Sequence, residues 1–510
     1  MTTIDRTSIP GPRRAFLTQA ANGFGFLAFS ALVAEASQPA LVAETSQPAL
    51  VAEASQPALV AEASQSAMAA EASQPVAAAG PLAPKPPHFA ARAKRVIFLC
   101  MQGGPSHVDT LDHKPRLIAD AGKDAPPGNR RGGRATLVAP RWKFSQRGQS
   151  GLWVSSLFDE VARHADKLCV VNSMATDLPA HPQAFAQLHT GTAQFIRPSL
   201  GAWTLYGLGT ENQNLPGYIV INPPVAAART FGSAFLPAVY QATRIGGSLL
   251  PGLAGRRGGG APPTMANIES PLLDRAAQRT QLDLVQRLNA SRLGLDGGTS
   301  PDTEGVIESY ELAFRMQDEV PKVMDIGDET AETLDRYGVG GDGTDAFGRQ
   351  CLMARRLVEA GVRFVQVTHG NWDHHFNLGT ALENTARQVD RPIAGLLSDL
   401  SDRGLLDDTL VIWGGEFGRT PHGQGADGRD HNNKGFTLWM AGGGVKGGMT
   451  HGATDDYGYE AVDKRMHIHD WHATLLHLLG LDHERLTYRY AGRDFRLTDV
   501  HGTVAREIMT

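Results

Sequence analysis

An α/β protein with a predominantly parallel β-sheet sandwiched between helices is the fold class this 510-residue sequence predicts. Three observations lead to it. Apolar runs of strand length alternate with amphipathic stretches of helical period, the pattern of strands covered on both faces by crossover helices. A glycine separates helix from strand twice in the same order: Gly361 between 347–360 and 362–367, and Gly404 within 389–413. Acidic, basic and imidazole side chains gather directly after the strand-like runs, where α/β sheets bind their ligands.

Composition sets the outer limits. With 42% hydrophobic and 20% charged residues the chain can bury a large core, and 57 glycines suit a loop-rich enzyme better than a helical bundle. A net charge of -5 gives no basic footprint, so no nucleic acid is expected as a partner. Cys100, Cys169 and Cys351 have neither metal spacing nor a disulfide pattern and are expected to be buried free thiols.

Residues 1–36 read as an export signal. Pro12-Arg13-Arg14-Ala15-Phe16-Leu17 precedes a weakly apolar run to Val33 and an Ala34-Glu35-Ala36 cleavage pattern, and the paired arginines are similar to a twin-arginine signal served by the twin-arginine export machinery. The run falls short of the ~20 apolar residues a membrane-spanning helix needs and includes Asn22, Gly23 and Gly25. No transmembrane segment is therefore expected in the mature protein, which should be periplasmic or secreted. Residues 37–93 read as a spacer: a unit ALVAEASQP recurs about five times, its prolines interrupt any helix, and PLAPKPPH continues it at 81–88. The folded domain is expected over 94–510.

Within that domain, strands are predicted at 96–101, 168–171, 362–367, 409–413 and 436–441. Residues 177–191 read as a loop entering a helix whose N-terminal region holds His181. From Ser199 follow a helix, a Gly/Asn turn and a strand, then a flexible loop at 251–264 and helical periodicity over 272–337. The stretch from Glu416 through Arg419 to Asp430 and His431 reads as a polar, glycine-rich loop. Near the C-terminus His467, His469 and His472 open an apolar helix, with Asp470 expected as its N-cap and the histidines as structural residues.

Twelve of the eighteen histidines lie at or beyond His369, which directs attention to that half of the chain. In THGNWDHH, Asp373 and His375 are spaced to reach one cation, since carboxylate oxygen and imidazole nitrogen are the usual ligands of zinc or manganese; the same spacing also suits a hydrogen-bonded turn with surface histidines. Asp430-His431 supplies a second such pair. Glu416 is a possible further ligand, and Arg419 offers a fork of donors for a phosphate or sulfate oxygen. Nucleophile-elbow, phosphate-loop and dinucleotide fingerprints are absent from the sequence in a supporting context.

The segments RRAFL, KRVIFLCMQGGPSHVDTLDHKP, LPAHPQAFAQLHTG, GNWDHH, TLVIWGGEFGRTP, GRDHNNKGFTLWMAGGGVKGG and HDWHATLLHLLGLDHERL resemble the bacterial family called domain of unknown function 1501, a branch of the alkaline-phosphatase and sulfatase superfamily. The resemblance spreads over most of 94–510. It implies an alkaline-phosphatase-like fold and a metal-dependent hydrolase of sulfate or phosphate esters, acting on a small-molecule or glycan ester. In sulfatases and nucleotide pyrophosphatases the nucleophile stands nine residues before the Thr of a Thr-Gly pair; counting back from Thr190-Gly191 gives His181, neither a hydroxyl nor a thiol. The strand that ends in Asp-His-Gly in sulfatases ends here in Glu416-Phe417-Gly418, and Gln102 replaces the first strand's Asp unless His107 or Asp109 bends back to serve.

Asp373, His375 and His431 match one metal site of the superfamily, for a divalent ion such as Zn, Mn or Ca. His181 is then a ligand, an acid/base or a nucleophile, and Arg419 the holder of the anionic group. The competing expectation is a non-catalytic protein that binds sulfated or phosphorylated glycans in the same cleft.

Overall fold

In the computed structural model of the chain, which describes residues 80–126, 135–224, 230–246, 265, 268, 270, 272–295, 300–425 and 427–510, the apolar run RVIFLCM becomes the central strand β1 (Arg95–Met101). The strands that build the main sheet and the site follow as β2 (Leu168–Ala175), β3 (Tyr218–Ile221), β4 (Thr243–Ile245), β5 (Phe364–His369) and β6 (Thr409–Gly414). After them come β7 (Gly418–Gly423), β8 (Arg429–Asn432), β9 (Phe436–Ala441), β10 (Met449–His451) and β11 (Met466–His467). One sheet runs in the order β10-β2-β9-β6-β1-β5-β3-β4, with β11 also on β2. β9 is antiparallel to β2 and β6, and the remaining pairs are parallel.

Alternation along β1 divides the core. Ile97, Leu99 and Met101 pack on one face with residues of α5 (Asp345–Glu359) and α6 (Leu378–Asp402), numbered after α1 (His181–Thr190), α2 (Leu200–Leu208), α3 (Arg275–Leu295) and α4 (Pro301–Met324). Val96, Phe98 and Cys100 pack on the other with α1, α2 and α7 (Ile468–Leu478). Both faces of a parallel sheet must be covered, and these two clusters cover them, so the expected α/β sandwich stands. All three cysteines are buried and free, as expected.

Topology also fixes where chemistry can occur. Because β1, β2, β5 and β6 are parallel, the segments after them leave from one edge of the sheet; β9 enters the sheet at that edge, so β8 just before it lies there too.

Several elements differ from expectation. β2 continues to Ala175, and the helical region resolves into α3, α4 and a short helix Ala331–Arg336. The polar stretch after β6 is not a loop but an antiparallel hairpin, β7 with β8, in which His431 pairs with Arg419. The N-cap of α7 is His467; Asp470 stands at the third helical position and its carboxylate accepts the His467 N–H, closing a capping box. The folded region begins ahead of Lys94: Leu82 and Ala93 are buried, Thr210 N–H donates to the Leu82 carbonyl, and Arg92 and Ala93 N–H donate to that of Leu478. The export signal, the repeats up to residue 79 and the 251–264 loop lie outside the described residues. Among the described residues no helix is long and apolar enough to cross a membrane.

Candidate metal centre

Close backbone packing builds the floor of the site. Gly103, after β1, has φ 118°, and a Cβ there would lie 2.6 Å from the Asp373 amide nitrogen, so only glycine lets the β1 and β5 loops meet. Gly103 N–H donates to both oxygens of Glu416, at 3.0 and 3.2 Å, which binds the loop after β6 to the same point. Asn371, in the left-handed region at φ 67°, turns the chain so that Trp372 is buried and Asp373 presents its carboxylate.

Four donor atoms converge there: Asp373 and His375 from the loop after β5, His431 from β8 and His181 from the start of α1. Asp373 Oδ1 lies 2.9 Å from His375 Nε2, 3.2 Å from His431 Nε2 and 3.2 Å from His181 Nε2, and the two former imidazoles face one another at 2.8 Å. These ligand atoms all lie within 4.8 Å of one another.

The far side of each ring settles its tautomer. His181 Nδ1–H donates to Glu416 Oε1 at 2.6 Å, His431 Nδ1–H to the Pro179 carbonyl at 2.8 Å, and His375 Nδ1–H to Gln424 Oε1. Carboxylate, carbonyl and amide oxygens accept, so each Nδ1 keeps its proton and each Nε2 is the atom turned inward, the one that would meet an ion. The Nε2 atom of His181 is buried without a hydrogen bond; its approach to Asp373 is an ion-pair contact. Two inward nitrogens 2.8 Å apart beside a carboxylate need a proton or a cation between them, and outward N–H groups anchored on oxygen are how proteins hold metal-ligating imidazoles. The residues fit a metal ion.

Charge in the cluster is strongly coupled. Burial opposes ionisation of Asp373, but His181, His431 and Arg419 outweigh it and hold the carboxyl well below its usual range. Burial likewise opposes a charged His181, yet the Asp373 and Glu416 carboxylates raise it to about 9.

Of the residues singled out from sequence, Asp373, His375, His431 and His181 come together, and the others take different places. Glu416 is fully buried and stands behind His181 as its acceptor rather than beside the cluster. Arg419 is buried too: Nε donates to the Gly104 carbonyl, Nη1 to that of Arg429, and Nη2 to the Gly103 carbonyl and to Asp373 Oδ1 at 2.6 Å. Its fork is spent on the loops and on Asp373, not offered to an anionic substrate. Asp430 Oδ1 accepts the His431 N–H, a bond between neighbours within β8. His107 Nε2–H donates to the Gly458 carbonyl, and Asp109 forms a buried two-point ion pair with Arg429. Neither bends back to the cluster, because each is consumed by a partner more than 300 residues away in sequence.

Sequence reasoning did not find Gln424 or Pro179, which anchor two of the rings, and nothing in their local sequence marks them. Phe417 fills the wall, its ring centroid 4.7 Å from His181 and 4.6 Å from His431. Glu416→Ala is expected to weaken metal binding by about 10- to 100-fold, the usual cost of losing an outer partner, with Glu416→Gln retaining part of the affinity through its amide oxygen. Titration with zinc checks it; equal affinity in wild type and Glu416→Ala would remove Glu416 from this role.

Residues 93–509 match the family model described as Protein of unknown function (DUF1501). No curated protein matches the chain. Solved structures to which it is similar include the lipoteichoic acid synthase LtaP from Listeria monocytogenes, at 9% identity over 82% of this chain and 78% of that one, with a TM-score of 0.33. They also include the PsFucS1 sulfatase from Pseudoalteromonas sp., at 13% identity over 77% and 68% of the two chains, TM-score 0.33. A third is the C-terminal periplasmic domain of EcEptC from Escherichia coli in complex with Zn, at 9% identity over 78% and 87%, TM-score 0.31.

Proposed function

This chain belongs to the DUF1501 family of proteins of unknown function, and we propose that it is an exported, metal-dependent hydrolase of sulfate or phosphate esters. One observation carries the proposal: three imidazole Nε2 atoms and one carboxylate oxygen converge at the carboxyl edge of the parallel sheet, each ring anchored through its other nitrogen.

Asp373, His375 and His431 would hold the ion, with His181 as fourth donor. Three nitrogens and one oxygen suit zinc, manganese or another first-row metal; calcium, also considered from sequence, takes six to eight oxygens and is disfavoured. Such an ion supplies a Lewis acid for an ester oxygen and an acidified water. The chain's own groups prepare the site: Arg419 holds Asp373 in place, Glu416 keeps the His181 proton on Nδ1, and Phe417 walls off one side. None of the four donors is a hydroxyl or a thiol, which favours attack by water over a covalent intermediate on the cluster.

Metal-loaded protein offered 4-nitrophenyl sulfate, 4-nitrophenyl phosphate and bis(4-nitrophenyl) phosphate should hydrolyse at least one, and His375→Ala should abolish the turnover. The second reading is the non-catalytic protein for sulfated or phosphorylated glycans; an imidazole, His181, at the position expected to carry a hydroxyl or thiol nucleophile is the observation that favours it. A fully metal-loaded protein inert toward all three probes would transfer the assignment to that reading. Export rests on Arg13 and Arg14; changing both to Lys should leave the chain in the cytoplasmic fraction, and unchanged fractionation would refute twin-arginine transport.

Metal affinity should depend on pH with a definite sign. In the metal-free protein His181 titrates at about 9, so below that pH a proton must leave Nε2 before the nitrogen can bind an ion. Affinity should therefore rise by up to about tenfold per pH unit between pH 7 and 9 and then level off. A pH-independent affinity across this range would contradict ligation by His181.

A further inference from the structure

Apart from the metal centre, a two-stranded hairpin near the C-terminus, Tyr488–Tyr490 with Arg493–Phe495, carries an aromatic face. Its register sets Tyr488 opposite Phe495 and Tyr490 opposite Arg493, so these four side chains share one face while Arg489 and Asp494 take the other. Phe235 lies on the aromatic face, stacked at 5.1 Å on Tyr490 and 6.0 Å on Tyr488, and 4.9 Å from Phe495. The loop after α1 adds Arg197, whose guanidinium stands 4.3 Å from the Phe495 centroid, 5.3 Å from Phe195 and 5.7 Å from Phe235.

Two features separate this surface from a sealed satellite core. Phe195, Ile196 and Tyr490 are 61%, 57% and 46% exposed, an aromatic and apolar patch left open to solvent. Arg493 also packs on Phe495, at 4.8 Å, but is paired with Asp499, whereas Arg197 forms no ion pair among the described residues. Burial and the neighbouring Arg493 work against its charge, while the Asp499 carboxylate, itself paired with Arg493, works for it. The rings supply part of the missing counter-charge through their negative faces, and the guanidinium keeps its planar fork for an oxyanion. Exposed ring faces beside a guanidinium with no ion-pair partner of its own among the described residues match a ligand with flat C–H surfaces and anionic substituents.

We propose that this surface binds an anionic polysaccharide, with Arg197 gripping a sulfate or phosphate group and Phe195 and Tyr490 stacking on sugar rings, at a site distinct from the metal centre. The proposal does not require the metal centre to be catalytic.

The test is affinity electrophoresis of the full chain in gels containing dextran sulfate or unmodified dextran. Wild type should be retarded by dextran sulfate and not by dextran. Arg197→Ala should lose about tenfold or more in affinity, as expected for a charge-assisted contact. Phe195→Ala and Tyr490→Ala, at exposed positions that leave the fold intact, should each weaken binding, while His375→Ala should bind as wild type. Hydrolysis of the nitrophenyl probes should be unchanged in Arg197→Ala, which keeps failure here distinct from failure of the hydrolase reading. Absence of retardation, equal retardation of Arg197→Ala, or loss of binding in His375→Ala would each overturn the proposal. So would a solution dimer that dissociates on Phe195→Ala without any glycan binding, since the surface would then serve self-association.

Discussion

Asp373→Ala is expected to abolish stoichiometric metal binding, with affinity falling by well over ~100-fold, because even an outer-shell loss costs 10- to 100-fold and this change removes the anionic ligand itself. Asp373 Oδ1 is the atom on which the cluster converges, within 3.2 Å of every Nε2 in it. It is also the Arg419 partner, so the variant could lose metal merely through a disturbed fold. Two facts separate these outcomes. Arg419 keeps its bonds to the Gly104 and Arg429 carbonyls, so near-UV circular dichroism should be retained. His375→Ala, which leaves Arg419 untouched, should lose the ion as well. Full metal content in His375→Ala would show that the cluster is not the binding site, whatever Asp373→Ala does.

The second large effect is on stability. Asp109→Ala should destabilise the protein by about 3–5 kcal/mol, the range for removing one partner of a buried ion pair and leaving the other charge without its counter-ion. Both side chains are almost inaccessible, and Arg429 Nε and Nη2 meet the carboxylate at 2.7 and 3.2 Å. The remaining guanidinium bonds go to the Thr420, Pro421 and Val138 carbonyls, which ties the β7–β8 hairpin to the loop carrying Val138. Asp109→Asn retains an acceptor and should cost less. Since His431 sits on that hairpin, Asp109→Ala should also weaken metal binding in the molecules that remain folded. A loss below about 1 kcal/mol in denaturant unfolding would mean that the pair is solvated and not a clamp.

What the sequence revealed followed the range of the physics involved. Continuous apolar runs such as Val96 to Met101 and Phe436 to Ala441 announce buried strands because burial on both faces leaves no polar position. The candidate donors Asp373 and His375 are legible as residue types standing just past a strand, and His431 as an imidazole in the polar stretch between two apolar strands. His181 is marked by its spacing from Thr190-Gly191, whereas the Glu416 carboxylate behind its ring is visible only in the fold.

Roles set by distant partners were not legible. Glu416 and Asp373 both follow strands at the same edge, yet one is sealed against Gly103 and the other faces the cluster. Arg419 has the chemistry of an anion clamp; only the fold supplies the carbonyl groups that occupy it. Asp109 is likewise a competent ligand until Arg429 is brought to it from the far end of the chain. His467 displaced Asp470 as the helix cap because an imidazole nitrogen can accept a backbone N–H as a hydroxyl does, which the usual residue preferences do not anticipate.

Anomalous diffraction at the zinc edge, from crystals of the mature protein grown with zinc, tests the central claim most directly. The expected result is one anomalous peak per chain, about 2.0–2.2 Å from Asp373 Oδ1 and from the Nε2 atoms of His375, His431 and His181. A peak elsewhere, or none at this cluster when zinc is present at saturating concentration, would contradict the assignment of these residues as a metal centre.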